Sequence, residues 1–148
     1  MMQREQAHIL IQQLGTAVGM PLILDDAGMC LLALEDDTVI SIGYDITRQQ
    51  LVLFAPLEAV EPTERVLRAM LSANFLWHST EGSTLALNPG GNAAVLQRAL
   101  PEILDVSDLQ ASFTAFASQT QAWNRTLAAQ ETALASPSTL PDPMMMRV

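Results

Sequence analysis

Lysine is absent from this 148-residue chain, and all seven basic residues are arginines. Without lysine there is no P-loop amine to bind nucleotide phosphates, no Schiff base and no lysine nucleophile. An ATP-driven function carried by this chain alone is therefore not expected.

Cysteine and long apolar runs are also scarce. Cys30 is the only cysteine, so a disulfide within the chain is impossible. Its place in the run MCLLAL favours a small buried side chain over the alternative, a reactive thiol. The sequence contains no run of about 18 apolar residues, the length needed to span a membrane. The first residues, MMQREQAH, lack the basic and then apolar order of a signal peptide. These features predict a cytoplasmic protein.

The chain is strongly acidic, since sixteen acids against seven bases give a net charge of −9. Nucleic acids and anionic membranes require clustered positive charge, so neither is expected as a partner. The acidity favours solubility or encounter with a basic partner. The length predicts one domain, which we place at residues 1–130. Residues 131–148 are rich in proline and methionine and are predicted to form a disordered tail.

Two predicted helices each have a single apolar stripe with three-four spacing. The first spans residues 3–18, and the last begins near Asp105, a good N-cap residue. Both stripes are most simply core. They consist of Ala7, Leu10, Ile11, Leu14 and Val18 in the first helix, and of Val106, Leu109, Phe113, Phe116, Thr120, Trp123 and Leu127 in the last.

Five main strands are predicted between these helices. Residues 29–35 are apolar on both faces, as in a strand covered on two sides, and residues 22–24 are a possible extra strand before them. Residues 38–46 alternate apolar with small or polar side chains, and residues 51–55 follow. Residues 83–87 and 93–100 flank the turn NPGGN and form a hairpin.

The helix predicted over residues 62–77 is apolar on more than one side. One face comprises Leu67, Met70, Leu71 and Phe75, and a second comprises Val66, Ala69, Ala73, Leu76 and Trp77. A helix that covers one small sheet needs a single stripe. The surplus predicts a partner, although the chain's own hairpin and last helix could cover both faces. The predicted order is α-β-β-β-α-β-β-α, an α+β fold in which helices flank a twisted antiparallel sheet.

No pattern of catalytic or metal-binding residues stands out. The acids at 25–26 and 35–37 lie beside predicted strand ends, where turns favour Asp, and they lack the spacing of a calcium loop. His8 and His78 are far apart, and neither has a metal-ligand spacing with Cys30. The sequence therefore predicts a protein that is not an enzyme and has no metal or cofactor.

Four passages carry a resemblance to a known family: GMCLLALEDDTVISIGYD, LVLFAPLE, ANFLW and STLALNPGGNAAVLQRALP. Together they resemble the Tir chaperone family, the class I chaperones of bacterial type III secretion, over roughly residues 3–127. The resemblance implies a small acidic cytosolic homodimer. It would bind an extended segment near the N-terminus of one or more secreted effectors, keep it unfolded and deliver it for export. It implies no ATP hydrolysis, which a separate secretion ATPase performs; that ATPase is a possible further partner.

The resemblance also places two surfaces. In a homodimer, the surplus apolar side of the second helix meets its own copy across a two-fold axis; the residues predicted there are Met70, Ala73, Phe75, Leu76 and Trp77. The client is expected along the first helix and the strand at 29–34, by edge-strand and groove recognition. Its predicted contacts are Ile9, Leu10, Leu14, Met29, Leu32 and Leu34, several of which could equally be core. The alternative is a non-enzymatic regulatory or adaptor domain that binds a folded partner.

Overall fold

A computed structural model describes residues 2–102 and 104–132. Its elements are α1 (Arg4–Val18), β1 (Met29–Ala33), β2 (Val39–Asp45), β3 (Gln50–Pro56), α2 (Glu64–Ala73), a 3₁₀ turn (Phe75–Trp77), β4 (Thr84–Leu87), β5 (Ala94–Ala99) and α3 (Val106–Thr132). The predicted α-β-β-β-α-β-β-α order is confirmed, but the possible extra strand at residues 22–24 does not form. The predicted tail from residue 131 lies outside the described residues, apart from its first two, which continue α3.

The five strands form one antiparallel sheet in the order β1-β2-β3-β5-β4, so β1 and β4 are its edges. Alternate strand residues, including Leu32, Ile40 and Leu53, are buried in one core cluster with residues of all three helices. The helices therefore cover one face of the sheet, which we call the inner face. The opposite face is the outer sheet face.

The prediction that β1 is covered on two sides is wrong. Leu32 is 4% exposed on the inner face, whereas Leu31 on the outer sheet face is 64% exposed. A strand covered on both faces needs layers on both sides of the sheet, and here the helices supply only one. The interior strand β2 differs, because Gly43 is covered on the outer side: a Cβ there would lie 3.1 Å from the Met29 sulfur and 3.3 Å from the Phe54 ring.

The second helix is shorter than predicted. It begins after Thr63, whose hydroxyl accepts a hydrogen bond from the Val66 N–H as an N-cap, and it ends at Ala73 rather than near Trp77. Asn74 then uses its side-chain amide to bind the backbone of Leu85 in β4 through two hydrogen bonds of 2.8 and 2.9 Å. This bond to a neighbouring strand anchors the chain where the helix stops.

The last helix is held at both ends. At its start, the Asp105 carboxylate accepts a hydrogen bond of 2.7 Å from the Asp108 N–H, as predicted for an N-cap. Just past its midpoint, Gln121 donates to the carboxylate of Asp36 in the β1–β2 turn. Glu131 accepts a 3.0 Å bond from the Glu61 N–H. The middle of α3 therefore lies near the end of the sheet where β1 stops and β2 starts, and its last turn lies beside the start of α2.

Candidate binding surfaces

Four large apolar side chains project into solvent around the end of α2. Leu71, Phe75, Leu76 and Trp77 are 73%, 59%, 49% and 54% exposed, and we call this group the aromatic corner. Scattered exposed apolar residues are ordinary, whereas a contiguous apolar patch marks an interaction site. Four large members within seven residues of chain therefore make this corner a candidate interface.

Beyond Asn74 the backbone adopts an energetically costly conformation that directs the residues of the aromatic corner outward. Leu76 and Trp77 both have a φ of 57°, in the left-handed region. That conformation costs roughly 1–2 kcal/mol for each residue with a side chain. Strain of this kind persists where the surrounding structure enforces it and is common at functional sites.

The residues predicted for the dimer interface divide into two groups. Phe75, Leu76 and Trp77 belong to the exposed corner, and Ala73 is half-buried against the core. Met70 is only 3% exposed and packs inside its own chain, so it does not lie on this surface. Leu71 was missed, although the sequence pattern placed it on the same face as Met70 and Phe75, which were both predicted at the interface. The position of the core shows that the helix instead buries Val66 and Met70 and turns Leu71 outward.

Two of the three α1 residues predicted for client binding, Ile9 and Leu10, line a shallow hollow. It has a volume of about 430 Å³ and is lined by Met2, Gln6, Ile9, Leu10, Gln13, Glu102 and Leu104. Ile9 is 47% exposed and Leu10 is half-buried, but Leu14 is fully buried in the core. The accessible apolar part of this hollow therefore comprises Ile9, Leu10 and the half-buried Leu104, without Leu14.

The predicted β1 residues lie on both faces of the sheet. Met29 and Leu34 are half-buried, and Leu32 points into the core. Sequence reasoning missed Leu31, the most exposed apolar residue of the strand, because the run MCLLAL does not show which alternate residues face the helices. The outer sheet face around it is largely apolar. Its apolar members across the strands include Met29, Leu31, Ala33, Val39, Val52, Phe54, Pro56 and Val95, and the polar residues Ser41 and Gln97 lie among them.

The edge of β1 presents free backbone groups. Gly28 accepts from the Tyr44 N–H, and Leu34 donates to the Thr38 carbonyl, both at 2.8 Å. In an antiparallel pair, bonded positions alternate, so the even-numbered residues of β1 bond β2 and the odd-numbered ones point outward. Met29 is occupied, since it exchanges hydrogen bonds with Asp25. Within the described residues, the backbone groups of Leu31 and Ala33 therefore remain open for pairing.

The charged and nucleophilic candidates have structural roles. Asp25 accepts hydrogen bonds from the N–H groups of Ala27 and Met29, both at 2.9 Å, and so shapes the turn before β1. Hydrogen bonds from Thr38 lower the pKa of Asp36, with a smaller contribution from Gln121. Burial raises the pKa of the Cys30 thiol, which disfavours the reactive thiolate. These contacts account for Asp25 and Asp36 as turn-forming residues and for Cys30 as a buried side chain.

The part of the chain that the structure describes offers neither a cluster of metal ligands nor a membrane-spanning helix. There, no three His, Cys, Asp or Glu side chains gather closely enough to hold a metal ion. No helix among these residues is long and apolar enough to cross a membrane.

Comparison with known proteins places this arrangement in a family. No curated protein matches the sequence. The fold is similar to the ExsC–ExsE complex, with a TM-score of 0.73 and 19% identity over 86% of this chain and 97% of that one. It is also similar to the HopA1–SchA chaperone–effector complex, with a TM-score of 0.66 and 20% identity over 79% and 91%.

A third solved structure is the Yersinia pestis type III secretion chaperone SycH with a fragment of YscM2. Its TM-score is 0.61, with 15% identity over 78% of this chain and 98% of that one. At these identities the likeness shows a shared fold. The family itself is shown by the sequence, because the model of the Tir chaperone protein (CesT) family matches residues 9–124. With most of its length matched, the chain belongs to the Tir chaperone protein (CesT) family.

Proposed function

We propose that this protein is a type III secretion chaperone that binds an extended segment of one or more secreted effectors and keeps it unfolded for export. The observation that carries this is the free edge of β1 beside an apolar outer sheet face. An extended segment can pair with the backbone of Leu31 and Ala33 and place alternate side chains on the apolar surface. Membership of the Tir chaperone family supports the proposal, as does similarity to a chaperone–effector complex.

The energetics of such binding are favourable. Ordering a disordered segment costs on the order of 2–5 kcal/mol. At about 25 cal/mol per Å², roughly 200 Å² of apolar burial offsets the upper figure. Leu31 and its neighbours on the outer sheet face offer one such surface, and Ile9 with Leu10 in the α1 hollow offers another. Two separated apolar surfaces suit a long segment that wraps around the protein rather than a compact partner.

We infer that the working form is a homodimer joined through the aromatic corner. A two-fold interface uses the same patch on both copies. Phe75 and Trp77 are the kind of aromatic anchors that dominate interface energetics. Pairing of two corners would remove from water the apolar surface that the monomer exposes.

The role is one of binding rather than catalysis, and the compartment is the bacterial cytoplasm. The acidic surface, with a net charge of −9, favours encounter with basic segments of a client. A contact with the secretion ATPase stays a prediction.

The test is co-expression with the N-terminal segments of candidate effectors, followed by size-exclusion chromatography with light scattering and limited proteolysis. A complex of two copies of this chain with one client, in which the client segment resists protease, supports the proposal. Retention of a folded partner with no protected extended segment would favour the adaptor alternative. A protein that is monomeric at micromolar concentration contradicts the dimer.

A further inference from the structure

The two edges of the sheet differ in how much of their backbone is open. Within the described residues, β1 leaves the backbone groups of Leu31 and Ala33 free for pairing. The opposite edge, β4, lies four strand spacings away, about 19 Å. An exposed edge strand is a template for pairing with other chains, and proteins commonly block such edges. The backbone groups of β4 therefore decide whether the sheet can also grow on that side.

The hydrogen bonds at the end of β4 show which of its residues point outward. The Asn88 N–H, just past the strand, donates to the Ala93 carbonyl at 2.9 Å. Bonded positions alternate in an antiparallel pair. The even-numbered residues of β4 therefore bond β5, and the odd-numbered ones, Leu85 and Leu87, face the edge. These two residues hold the backbone groups that an added strand would need.

Asn74 occupies the first of these two positions. Its side-chain carbonyl accepts from the Leu85 N–H at 2.9 Å, and its side-chain NH₂ donates to the Leu85 carbonyl at 2.8 Å. In a hydrogen-bonded antiparallel pair, one residue of the neighbouring strand makes these same two bonds. The Asn74 amide therefore takes the place of one residue of an added strand, and it leaves Leu85 without a free backbone N–H.

Asn74 is also the residue that directly precedes the aromatic corner. Because its side chain is bonded to Leu85, the edge of β4 lies beside the corner. A second copy docked on the corner would hold its own β4 close to this edge. Two open edges brought together in that way would pair at high effective concentration and join the two sheets into one.

We propose that Asn74 closes the β4 edge to strand addition by a second copy of this chain. The closure itself does not depend on what the protein binds. Two consequences rest on the proposed function. The two copies of the dimer meet through the side chains of the aromatic corner while their sheets stay separate, and β1 is left as the edge at which an extended client adds.

Loss of the Asn74 amide should open the edge in a defined register. With Leu85 and Leu87 facing outward, two β4 strands related by a two-fold axis place Leu85 of each copy opposite Leu87 of the other. Ala86 then lies opposite its own copy at a non-hydrogen-bonded position, where Cα atoms are about 4.5 Å apart. A disulfide fits that separation. Ala86 is half-buried, so Ala86→Cys is a mild probe, and the chain's own Cys30 is buried.

The test compares the rates at which A86C and N74A/A86C form disulfide-linked pairs under mild oxidation, measured by non-reducing electrophoresis. We expect N74A/A86C to crosslink at least about tenfold faster, because an open edge templates pairing. Adding L87P, which removes an outward N–H and spares the ladder with β5, should return the rate to that of A86C. The matched control S72A/A86C should behave like A86C. Equal rates for A86C and a folded N74A/A86C would overturn the proposal, as would crosslinking that L87P does not reduce.

Because N74A loses two buried hydrogen bonds, a measurement on the wild-type chain completes the test. Amide hydrogen exchange followed by NMR reports on Leu85 and Leu87 separately. We expect the Leu87 N–H to exchange at least about tenfold faster than the Leu85 N–H at every protein concentration, since only Leu85 is bonded by Asn74. Equal protection of the two, or protection of Leu85 that arises only as copies associate, would overturn the closure. Neither measurement needs a client, so failure of every client to bind would count against the proposed function alone.

Discussion

The side-chain amide of Asn74 binds the backbone of Leu85 at both its N–H and its carbonyl, with distances of 2.9 and 2.8 Å. Leu85 is 3% exposed, so its backbone groups at this point are far from water. The two bonds join the end of α2 to the edge strand β4. They fix the place where the chain leaves the helix, and thereby the outward position of Phe75, Leu76 and Trp77.

Replacing Asn74 with alanine should therefore destabilise the fold. Both bonds are lost, and leaving each partner buried and unsatisfied costs about 1–3 kcal/mol, so we expect a loss of roughly 2–6 kcal/mol in the free energy of unfolding. Urea denaturation followed by circular dichroism measures it. Ser72→Ala, an exposed change on the same helix, should alter stability by less than about 0.5 kcal/mol. Similar midpoints for the two variants would show that the Asn74 bonds contribute little.

Substitutions in the aromatic corner should abolish dimer formation without unfolding the chain. Because Phe75 and Trp77 are more than half exposed in the single chain, F75S/W77S should leave the monomer folded and convert a dimer into a monomer. Light scattering after size exclusion gives the mass, and circular dichroism checks the fold. Ile46→Ser is the matched control, since Ile46 is 75% exposed in the β2–β3 turn and should leave the dimer intact. A double variant that is still dimeric would place the interface elsewhere.

The order of helices and strands could be predicted from periodicity, caps and turn residues, because these are local signals. The NPGGN turn fixed the β4–β5 hairpin, and Asp105 marked the start of α3. The end of α2 could not be predicted, since Asn74 stops the helix by bonding Leu85, a contact with a distant part of the sequence. The face of α2 that packs on the core could not be predicted either. Met70 and Leu71 are adjacent and both apolar, yet Met70 is 3% exposed and Leu71 is 73% exposed.

The exposed residues of β1 could not be predicted for the same reason. Its five residues are all apolar, so alternation could not show that Leu32 points into the core and Leu31 into solvent. The free edge depends on the strand order of the whole sheet, which no local pattern contains. The sequence therefore predicted the strand, while the exposed residue within it required the structure, and client contact at this strand stays a prediction.

The edge-pairing mode predicts a specific effect of proline at Ala33. The Ala33 N–H points away from β2, so A33P removes a donor available to the client while sparing the ladder with β2. We expect client affinity to fall about tenfold or more, with little change in the urea midpoint. A33S retains the N–H and should bind like the wild type. Binding by a folded A33P variant that equals that of A33S would exclude backbone pairing at this position.

The turn between β1 and β2 predicts how stability depends on pH. Hydrogen bonds from Thr38, and to a lesser extent from Gln121, lower the pKa of Asp36 below the ordinary value of 3.8. A carboxyl whose pKa is lower in the folded state contributes stability that is fully present above the unfolded pKa and is lost as the pH falls through the folded pKa. The contribution should therefore be constant at neutral pH and disappear below about pH 4.

Thermal unfolding from pH 7 to pH 2.5 should show a smaller acid-induced fall in Tm for Asp36→Asn than for the wild type. Ser72→Ala, an exposed change that removes no ionisable group, serves as the control and should follow the wild-type profile. Parallel profiles for wild type and Asp36→Asn would mean that the contacts of Asp36 with Thr38 and Gln121 do not favour its ionised form. The hydrogen bond from Gln121 to Asp36, which joins α3 to the β1–β2 turn, would then not be strengthened by the charge of the carboxylate.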